Sequence, residues 1–140
     1  MSRPFTKSIA IIARCATLYR DNKLTDCGLN GVQAPYIPLI AQNPGITQDQ
    51  IAQNLHVNRS NVTRQLALLE ENGFITRKRS EVDRRAVEVY PTDKALEVLP
   101  YVRESFRNWR EELTLNLTDR QIETLEELLD LVAQRAEEIE

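Results

Sequence analysis

The densest group of side chains that could bind an anion lies in the nine residues RKRSEVDRR, from Arg77 to Arg85. Five of these nine residues are Arg or Lys, although the chain of 140 residues carries a formal net charge of −3. Guanidinium groups form charge-assisted hydrogen bonds with phosphate oxygens. Residues 59–85 hold seven basic and four acidic side chains, whereas residues 111–140 hold two basic and ten acidic ones. This asymmetry predicts that the central segment meets an anion and that the C-terminal segment does not.

Polar side chains that precede this cluster could read the edges of bases. They lie near the N-terminus of a predicted helix over residues 59–72, away from its apolar face. In the major groove of B-DNA, Arg pairs with guanine, Asn and Gln pair with adenine, and Thr offers a hydroxyl and a methyl group. The alternative is an ordinary solvated helix face, but the acidic residues Glu70 and Glu71 lie only at the far end. The predicted DNA-contacting residues of this helix are Arg59, Ser60, Asn61, Thr63, Arg64 and Gln65.

Local sequence signals define the two helices that must position these side chains. The segment Thr47–Gln50 is a T-x-x-Q capping box, which predicts the start of one helix. Asn58 is a favourable N-cap for the next helix, and Gly73 is the residue expected to stop it. The order of helix, short turn and helix is that of a helix-turn-helix unit, whose second helix enters the major groove.

The hydrophobic period changes after Gly73. Residues 74–77 and 86–90 alternate apolar with polar side chains and are rich in β-branched residues, which predicts two short strands. The charged segment Ser80–Arg84 lies between them and forms the tip of a hairpin. A helix-turn-helix unit followed by such a hairpin has the winged helix-turn-helix pattern.

The tip of the hairpin is expected to lie beside the second helix and to reach the DNA phosphates and the adjacent minor groove. A guanidinium is favoured there because the electrostatic potential is most negative. Asp83 is interpreted as the partner of a nearby Arg, which it holds at a fixed angle. The alternative is a solvated charged turn. The predicted DNA-contacting residues of the wing are Arg77, Arg79, Arg84 and Arg85, with Asp83 orienting them.

Helices are also predicted before this unit. Apolar residues with the 4-3-4-3 spacing of one helical face predict a first helix over residues 5–24. A second helix is predicted from an Asn30 cap to about Gln42, bent or shortened by Pro35 and Pro38. The apolar face of the first helix consists of Phe5, Ile9, Ile12, Ala16 and Tyr19.

Two further helices are predicted after the hairpin. A long helix is expected from about Thr92 to Asn116, interrupted or kinked at Pro100. A second capping box over Thr118–Gln121 starts a final helix whose apolar residues recur with 3-4-3-4-3 spacing. We expect this apolar stripe to contact a second chain; packing on the first helix of the same chain is the alternative. The stripe consists of Ile122, Leu125, Leu129, Val132, Ala136 and Ile139, and Leu128 and Leu131 widen it.

Together, these residues resemble the MarR family of bacterial transcriptional regulators. The resemblance covers essentially the whole chain. The wing motif of that family is D-x-R-(x)3-V-x-L-T-x-x-G, and this chain departs from it at Pro91, where Leu is usual, and at Ala95, where Gly is usual. The matching positions are Asp83, Arg85, Val89 and Thr92, together with the run Leu55-(x)6-Val62-Thr63-Arg64-(x)4-Leu69-Glu70-(x)2-Gly73-Phe74-Ile75.

The predicted fold is thus mainly α with a small β wing. The resemblance implies that residues 1–28 and 92–140 form a helical dimerisation region and that residues 29–91 form the winged helix-turn-helix lobe. It also implies a homodimer that binds a pseudo-palindromic operator in double-stranded DNA, usually as a repressor. Release by a small, often aromatic or phenolic, effector is common in the family. The predicted dimer interface consists of Phe5, Ile9, Ile12, Leu125, Leu129, Val132 and Ile139.

Four residues are candidates for an effector or redox site: Cys15, Tyr19, Tyr36 and Arg14. The position of Cys15 on the first helix, followed by Leu18 and Tyr19, resembles the peroxide-sensing branch of the family, in which a thiolate on that helix is oxidised. An oxidant-sensing repressor is therefore one alternative. Because Cys15 lies among apolar residues, we instead expect it to be packed and inert.

Other classes of function lack the residues that they need. With one His, four Gly and no phosphate-cradling loop or nucleophile elbow, the sequence argues against an enzyme, and no catalytic residue is predicted. Cys15 and Cys27 form no CxxC pair, so no metal site is predicted, nor is any cofactor. Without a signal-peptide core or a long apolar segment, the chain is expected to stay in the cytoplasm and off membranes. The remaining alternative is a winged-helix protein-interaction module that does not bind DNA.

Overall fold

The computed structural model of the chain describes residues 2–139. Met1 and Glu140, which the predicted dimerisation region includes, lie outside the described residues. The chain forms two compact units, the first ending at Arg107 and the second beginning at Asn108. The predicted class, mainly α with a small β wing, is confirmed by the helices and the antiparallel sheet described below.

The first unit begins with helix α1, Phe5–Leu24, as predicted. Helix α2 spans Tyr36–Gln42 and is shorter than predicted, because it begins after Pro35 and not at Asn30. Asn30 caps a preceding turn instead: its Oδ1 accepts a hydrogen bond from the main-chain N of Gln33 at 2.9 Å. A residue before proline disfavours the α conformation, so the turn at Asn30 cannot continue as a regular helix through Pro35.

Gly31 lies where this turn approaches α1. Its main-chain N donates a hydrogen bond to Oδ1 of Asp21, and its main-chain O accepts one from Nε of Arg20 at 3.4 Å. A Cβ atom on Gly31 would overlap the main-chain O and C atoms of Thr17. The close approach of two backbones therefore requires glycine at this position.

Gly31→Ala is expected to destabilise the protein by about 2–3 kcal/mol, because backbone atoms must move to admit the methyl group. The measurement is the free energy of unfolding from urea titration. Val32→Ala is the control, since Val32 is exposed in the same turn and its truncation leaves the approach unchanged. Equal stability of the Gly31→Ala variant and the control would contradict the close approach.

The sheet and the two central helices follow. Helix α3 spans Gln48–Leu55 and helix α4 spans Arg59–Glu71, as predicted. Strand β1 is Ile46–Thr47, β2 is Ile75–Arg79 and β3 is Val87–Pro91, and they form an antiparallel sheet in the order β1-β3-β2. β1 was not predicted, because two residues are too few to show an alternating pattern.

Capping residues mark the starts and ends of these helices where the sequence predicts. The side chains of Thr47 and Gln50 form both hydrogen bonds of the capping box before α3. His56 ends α3 in the left-handed conformation with φ 54, and Gly73 follows α4 with φ 83. Only glycine adopts that conformation without steric cost, so Gly73 allows the chain to turn directly from α4 into β2.

The core of the first unit lies between α2, α3, α4 and the sheet, with Leu24 of α1 and residues of the following helix, Ala95 and Val102, completing it. It fixes the helix-turn-helix against the wing, since residues of both are fully buried in one cluster. The largest buried side chains of this cluster are Tyr36, Phe74, Leu24, Ile37, Ile40, Ile51, Leu66, Leu69 and Ile75.

Helix α5 spans Asp93–Leu113 and continues through Pro100, so the predicted interruption is wrong and a kink at Pro100 stays a prediction. The two departures from the family motif are accommodated at its start. Pro91 is the last residue of β3, paired with Ile75, and Ala95 is buried in the core. Thr92 links the two elements, since its Oγ1 donates to the main-chain O of Gly73 at 2.6 Å and caps the first turn of α5.

The second unit contains the end of α5 and helix α6, Asp119–Ile139. The predicted capping box is present, with the main-chain N of Gln121 donating to Thr118 Oγ1 at 3.2 Å. Arg110 Nε and Nη2 donate to the two carboxylate oxygens of Glu126 at 2.9 and 2.8 Å. This hydrogen bonding lowers the pKa of Glu126. No residue of α6 as described, Asp119–Ile139, is buried.

Within residues 2–139, no helix has the length and apolar character needed to cross a bilayer. The same residues contain no group of three or more His, Cys, Asp or Glu side chains placed to hold a metal ion.

Candidate nucleic-acid interface

The first part of the candidate interface is the N-terminal half of α4. Asn58 caps this helix, because its Oδ1 accepts hydrogen bonds from the main-chain N of Asn61 and from Ser60 Oγ, both at 2.8 Å. The cap satisfies an otherwise unpaired amide and fixes where the helix begins. The first-turn residues Arg59 and Ser60 are exposed. The buried face of α4, formed by Val62, Leu66 and Leu69, points the other way.

Arg64 and Asn61 form a hydrogen-bonded pair on the exposed side of α4, with Arg64 Nη2 donating to Asn61 Oδ1. Arg59 is paired with a neighbouring helix, since its Nε lies 3.2 Å from Asp49 Oδ1 on α3. Both contacts lie between exposed side chains, which solvent and salt screen strongly. A DNA phosphate or base edge can therefore replace them at little cost.

Thr63 and Gln65 differ from the freely exposed residues of α4. The Thr63 hydroxyl donates to the main-chain O of Arg59 at 2.9 Å and accepts from Gln48 Nε2 at 3.4 Å, so it is already engaged. Gln65 is half-buried, and its Oε1 has no hydrogen-bond partner within residues 2–139. Asn61 is half-buried as well, but it is the Oε1 atom of Gln65 that is buried without a partner, so Gln65 makes a less accessible base contact than the exposed Arg64.

The second part is the tip of the wing, residues 80–86. The hydroxyl of buried Ser80 accepts hydrogen bonds from the main-chain N atoms of Val82 and Asp83, both at 3.2 Å. Ser80 N donates to the main-chain O of Ala86, and Ala86 N donates to that of Asp83, each at 2.9 Å. These bonds build a defined loop of the kind that Ser and Asp favour.

The loop presents Arg84 and Arg85 outward, and the Arg85 side chain is 96% exposed. Asp83 lies beside it: its Oδ1 accepts a hydrogen bond from the main-chain N of Arg85 at 3.0 Å and lies 3.8 Å from Arg85 Nε. Asp83 thus fixes the main chain at Arg85 and lies near its guanidinium, and its orienting role stays a prediction. An exposed guanidinium beside a local carboxylate can bind phosphate oxygens with few other contacts to break.

The other two wing arginines form hydrogen bonds within the protein, and their contact with DNA stays a prediction. Arg79 Nη1 donates to the main-chain O of Arg84 at 2.7 Å and thus braces the loop. Arg77 is only 24% exposed and is paired with Glu70 on α4. Along β2, Ile75, Arg77 and Arg79 share one face of the strand, which is buried at Ile75, half-buried at Arg77 and exposed at Arg79. The alternation was visible in the sequence, but the direction of the face was not.

The outer face of the wing carries Lys78 and Tyr90. The Lys78 ammonium lies 5.7 Å from the centre of the Tyr90 ring, and Tyr90 donates its hydroxyl to Glu88 Oε1 at 2.9 Å. The hydrogen bond to Glu88 is the main cause that raises the pKa of Tyr90.

The four candidate effector or redox residues lie in different environments. Arg14 and Cys15 are exposed on α1, Tyr19 is half-buried, and Tyr36 is buried. The expectation that Cys15 is packed within its own chain is wrong, because the apolar residues next to it in sequence do not cover it. Burial raises the pKa of Tyr36, whose hydroxyl has no hydrogen-bond partner within residues 2–139.

Each unit exposes one of the apolar faces predicted for the dimer interface. On α1, Phe5 is 68% exposed, and Ile9 and Ile12 are also exposed. On α6, Leu129 is 51% and Ile139 is 71% exposed, and Leu125 and Val132 are exposed as well. Apolar side chains repeated along one face of a helix indicate a surface that a partner covers.

Three residues that shape the interface were not predicted from the sequence. Ser80 holds the loop of the wing, and Glu70 and Gln48 bind Arg77. A Ser three residues before an Asp at the start of a loop is a turn signal that could have identified Ser80. The role of Gln48 depends on a contact between residues 29 positions apart, for which the sequence carries no local signal.

Known proteins resemble this chain over a segment that includes both parts of the interface, α4 and the wing tip. Residues 29–87 match the sequence model of the MarR family. Over 131 residues, the chain is 29% identical to the HTH-type transcriptional regulator YybA of Bacillus subtilis, covering 94% of this chain and 87% of that protein.

Solved structures share the fold. A MarR transcriptional regulator from Methanosarcina mazei superposes with a TM-score of 0.91 at 24% identity, covering 96% of this chain and 97% of the other. A MarR family transcriptional regulator from Listeria monocytogenes, crystallised with a 26mer DNA, superposes with a TM-score of 0.89 at 22% identity, covering 98% and 91%. These likenesses confirm the predicted winged helix-turn-helix fold.

Proposed function

Because the chain belongs to the MarR family of transcriptional regulators, we propose that it is a repressor that binds a specific double-stranded DNA sequence as a homodimer. The observation that carries this proposal is the wing tip, where main-chain hydrogen bonds to Ser80 and Asp83 shape a loop that exposes two arginines, Arg84 and Arg85. A protein-interaction module has no need for this arrangement next to a polar helix face.

DNA binding uses the two parts of the interface differently. The exposed side of α4 enters the major groove, where Arg64 and Asn61 read base edges and Arg59 and Ser60 contact the backbone. The wing tip lies over the neighbouring minor groove, where Arg84 and Arg85 meet phosphates. Sequence preference then comes mainly from α4 and salt-dependent affinity mainly from the wing.

Dimerisation is the second part of the proposal. The exposed apolar faces of α1 and α6 contact a second copy, which places residues 1–28 and 92–140 in a dimerisation region and residues 29–91 in the DNA-binding lobe. Two-fold symmetry then sets the two recognition helices about 34–36 Å apart, one turn of duplex, and requires a pseudo-palindromic operator.

The proposal is tested by selection of bound fragments from a random-sequence DNA library. The expected result is enrichment of one inverted repeat whose half-sites are about 10 base pairs apart. Recovery of unselected sequences alone would contradict sequence-specific binding. Challenging the selected complex with phenolic acids then tests for a small aromatic effector, which is expected to release the DNA.

The exposure of Cys15 favours a second candidate, an oxidant-sensing repressor, since an accessible thiol on α1 is open to oxidation. On this candidate, peroxide weakens binding of the selected duplex by about tenfold or more. Cys15→Ser abolishes the response, and Cys27→Ser, the matched control, retains it. Equal responses of wild type and the Cys15→Ser variant, measured by fluorescence anisotropy, would exclude this candidate.

A further inference from the structure

A hydrogen-bonded network joins the wing to both helices of the helix-turn-helix. Arg77 donates to Glu70 Oε1 from Nη2 and Nε, at 2.9 and 3.3 Å, and to Glu70 Oε2 from its main-chain N at 3.2 Å. Arg77 Nη1 also donates to Gln48 Oε1 at 3.3 Å, and Gln48 Nε2 donates to Thr63 Oγ1 at 3.4 Å. These four residues, Arg77, Glu70, Gln48 and Thr63, are here called the Arg77 network.

Sheet register explains how Arg77 reaches α3. Val89 of β3 pairs with Arg77 of β2 on one side and with Ile46 of β1 on the other, so these three residues form one row across the sheet. β1 leads directly into α3, whose first residue is Gln48. The unpredicted strand β1 therefore brings the start of α3 close to Arg77.

The network connects the two parts of the candidate interface, α4 and the wing, which must contact DNA at the same time. Glu70 lies at the C-terminal end of α4, whereas Thr63 lies on its DNA-binding side, and both are linked to the wing through Arg77. The network thus fixes both the position of α4 along its axis and its rotation relative to the wing. Base-edge hydrogen bonds need placement to within about 0.5 Å, whereas non-specific phosphate contacts tolerate movement.

We propose that Arg77, Glu70 and Gln48 are positioning residues for sequence-specific DNA binding and that Arg77 is not a phosphate contact. This inference rests on the proposed function. It predicts that removal of the Glu70 carboxylate changes DNA affinity in the direction opposite to that expected from charge repulsion alone. Removing an acidic side chain near DNA ordinarily raises affinity, because repulsion of phosphates is lost. Removing a positioning carboxylate lowers specific affinity.

The experiment compares wild type with Glu70→Gln and Arg77→Gln. Glu71→Gln is the matched control, since it makes the same change of charge one residue along α4 and outside the network. Fluorescence anisotropy gives the dissociation constants for the duplex selected by the wild type and for a scrambled duplex of equal length, at several salt concentrations. Thermal unfolding checks that each variant is folded.

Glu70→Gln and Arg77→Gln are expected to weaken binding of the selected duplex by about tenfold, comparable to one mismatched base pair. Affinity for the scrambled duplex stays within about twofold for both variants, because non-specific binding depends on phosphate contacts that remain. Glu71→Gln binds both duplexes as tightly as the wild type or slightly tighter. The ratio of specific to non-specific affinity therefore falls for the network variants alone.

Two results would overturn the inference. Glu70→Gln could bind both duplexes more tightly, like Glu71→Gln, which would leave Glu70 as an ordinary repelling charge. Arg77→Gln could instead reduce the salt dependence of log K on both duplexes by nearly one unit, which would identify Arg77 as a phosphate contact. If the wild type selected no duplex at all, the proposed function itself would fail.

Gln48→Ala keeps the test decisive if loss of the ion pair unfolds the protein. This variant removes the bridge to Thr63 but retains the three hydrogen bonds between Arg77 and Glu70. A fall of about threefold or more in the ratio of specific to non-specific affinity supports the inference. An unchanged ratio in a folded Gln48→Ala variant overturns it.

Discussion

Leu129→Glu is expected to halve the molecular mass of the protein in solution and to abolish tight DNA binding. Leu129 is exposed in the middle of the α6 apolar stripe, where a second copy would bury it. The substitution removes apolar contact and places an unpaired carboxylate in the interface. Together these effects weaken dimerisation by roughly a thousandfold or more. DNA affinity falls with it, because a monomer reaches only one half-site.

Gln134→Glu is the control for this prediction. Residue 134 is five positions from 129, roughly 140° around the helix, so it places a new carboxylate on the opposite side of α6. We expect this variant to remain dimeric and to bind the selected duplex like the wild type. Light scattering gives the mass, and anisotropy gives the affinity. A folded, monomeric Leu129→Glu variant with wild-type affinity would contradict the proposed mode of binding.

The double substitution Arg84→Ala and Arg85→Ala is expected to weaken binding of the selected duplex by about a hundredfold or more. Both guanidinium groups are exposed at the wing tip, and hydrogen bonds between charged partners are the strong ones in such interfaces. The diagnostic is the salt dependence. Each lost phosphate contact reduces the slope of log K against log salt by about 0.9, for specific and scrambled duplexes alike.

Arg103→Ala is the control for loss of positive charge away from the wing, and it removes one charge where the wing variant removes two. Arg103 is exposed on α5, outside residues 59–85. Its removal lowers the net charge by one without touching the wing, and the slope should stay at the wild-type value. If the wing variant kept the same slope as Arg103→Ala, the wing arginines would have no part in phosphate binding.

Local signals in the sequence predicted the helix ends well. The capping boxes at Thr47 and Thr118, the Asn58 cap and the Gly73 stop all occur in the structure. Each depends on residues within one helical turn, so the sequence alone specifies it. The start of α2 was misplaced because Asn30 forms the same local cap on a turn that Pro35 prevents from becoming a helix.

Features that depend on distant contacts could not be predicted. β1 is a strand because Ile46 pairs with Val89, and the sequence of Ile46–Thr47 carries no pattern of its own. Arg77 was predicted to bind DNA because basic residues surround it, and the sequence did not indicate its contact with Glu70. A cluster of charge in sequence thus separates in space into exposed arginines at the wing tip and an arginine paired within the protein.

Exposure of side chains was also hard to predict from neighbours in sequence. Cys15 was expected to be packed because Ile11 and Ile12 precede it, yet it lies on an exposed side of α1. Residues three and four positions apart share one side of a helix, but Ile12 is itself exposed, so apolar neighbours on that side do not cover Cys15 within the described residues. Gln65 shows the reverse, a polar residue of the candidate interface that is half-buried.

We propose that two copies of this chain bind one duplex through α4 and the wing tip. The most direct test of this proposal is titration of the selected duplex with the wild-type protein in dilute buffer, with the mass of the complex measured at saturation. The account predicts two chains per duplex and a preference of about a thousandfold or more over a scrambled duplex. Failure to form a complex with any duplex at low salt would contradict it.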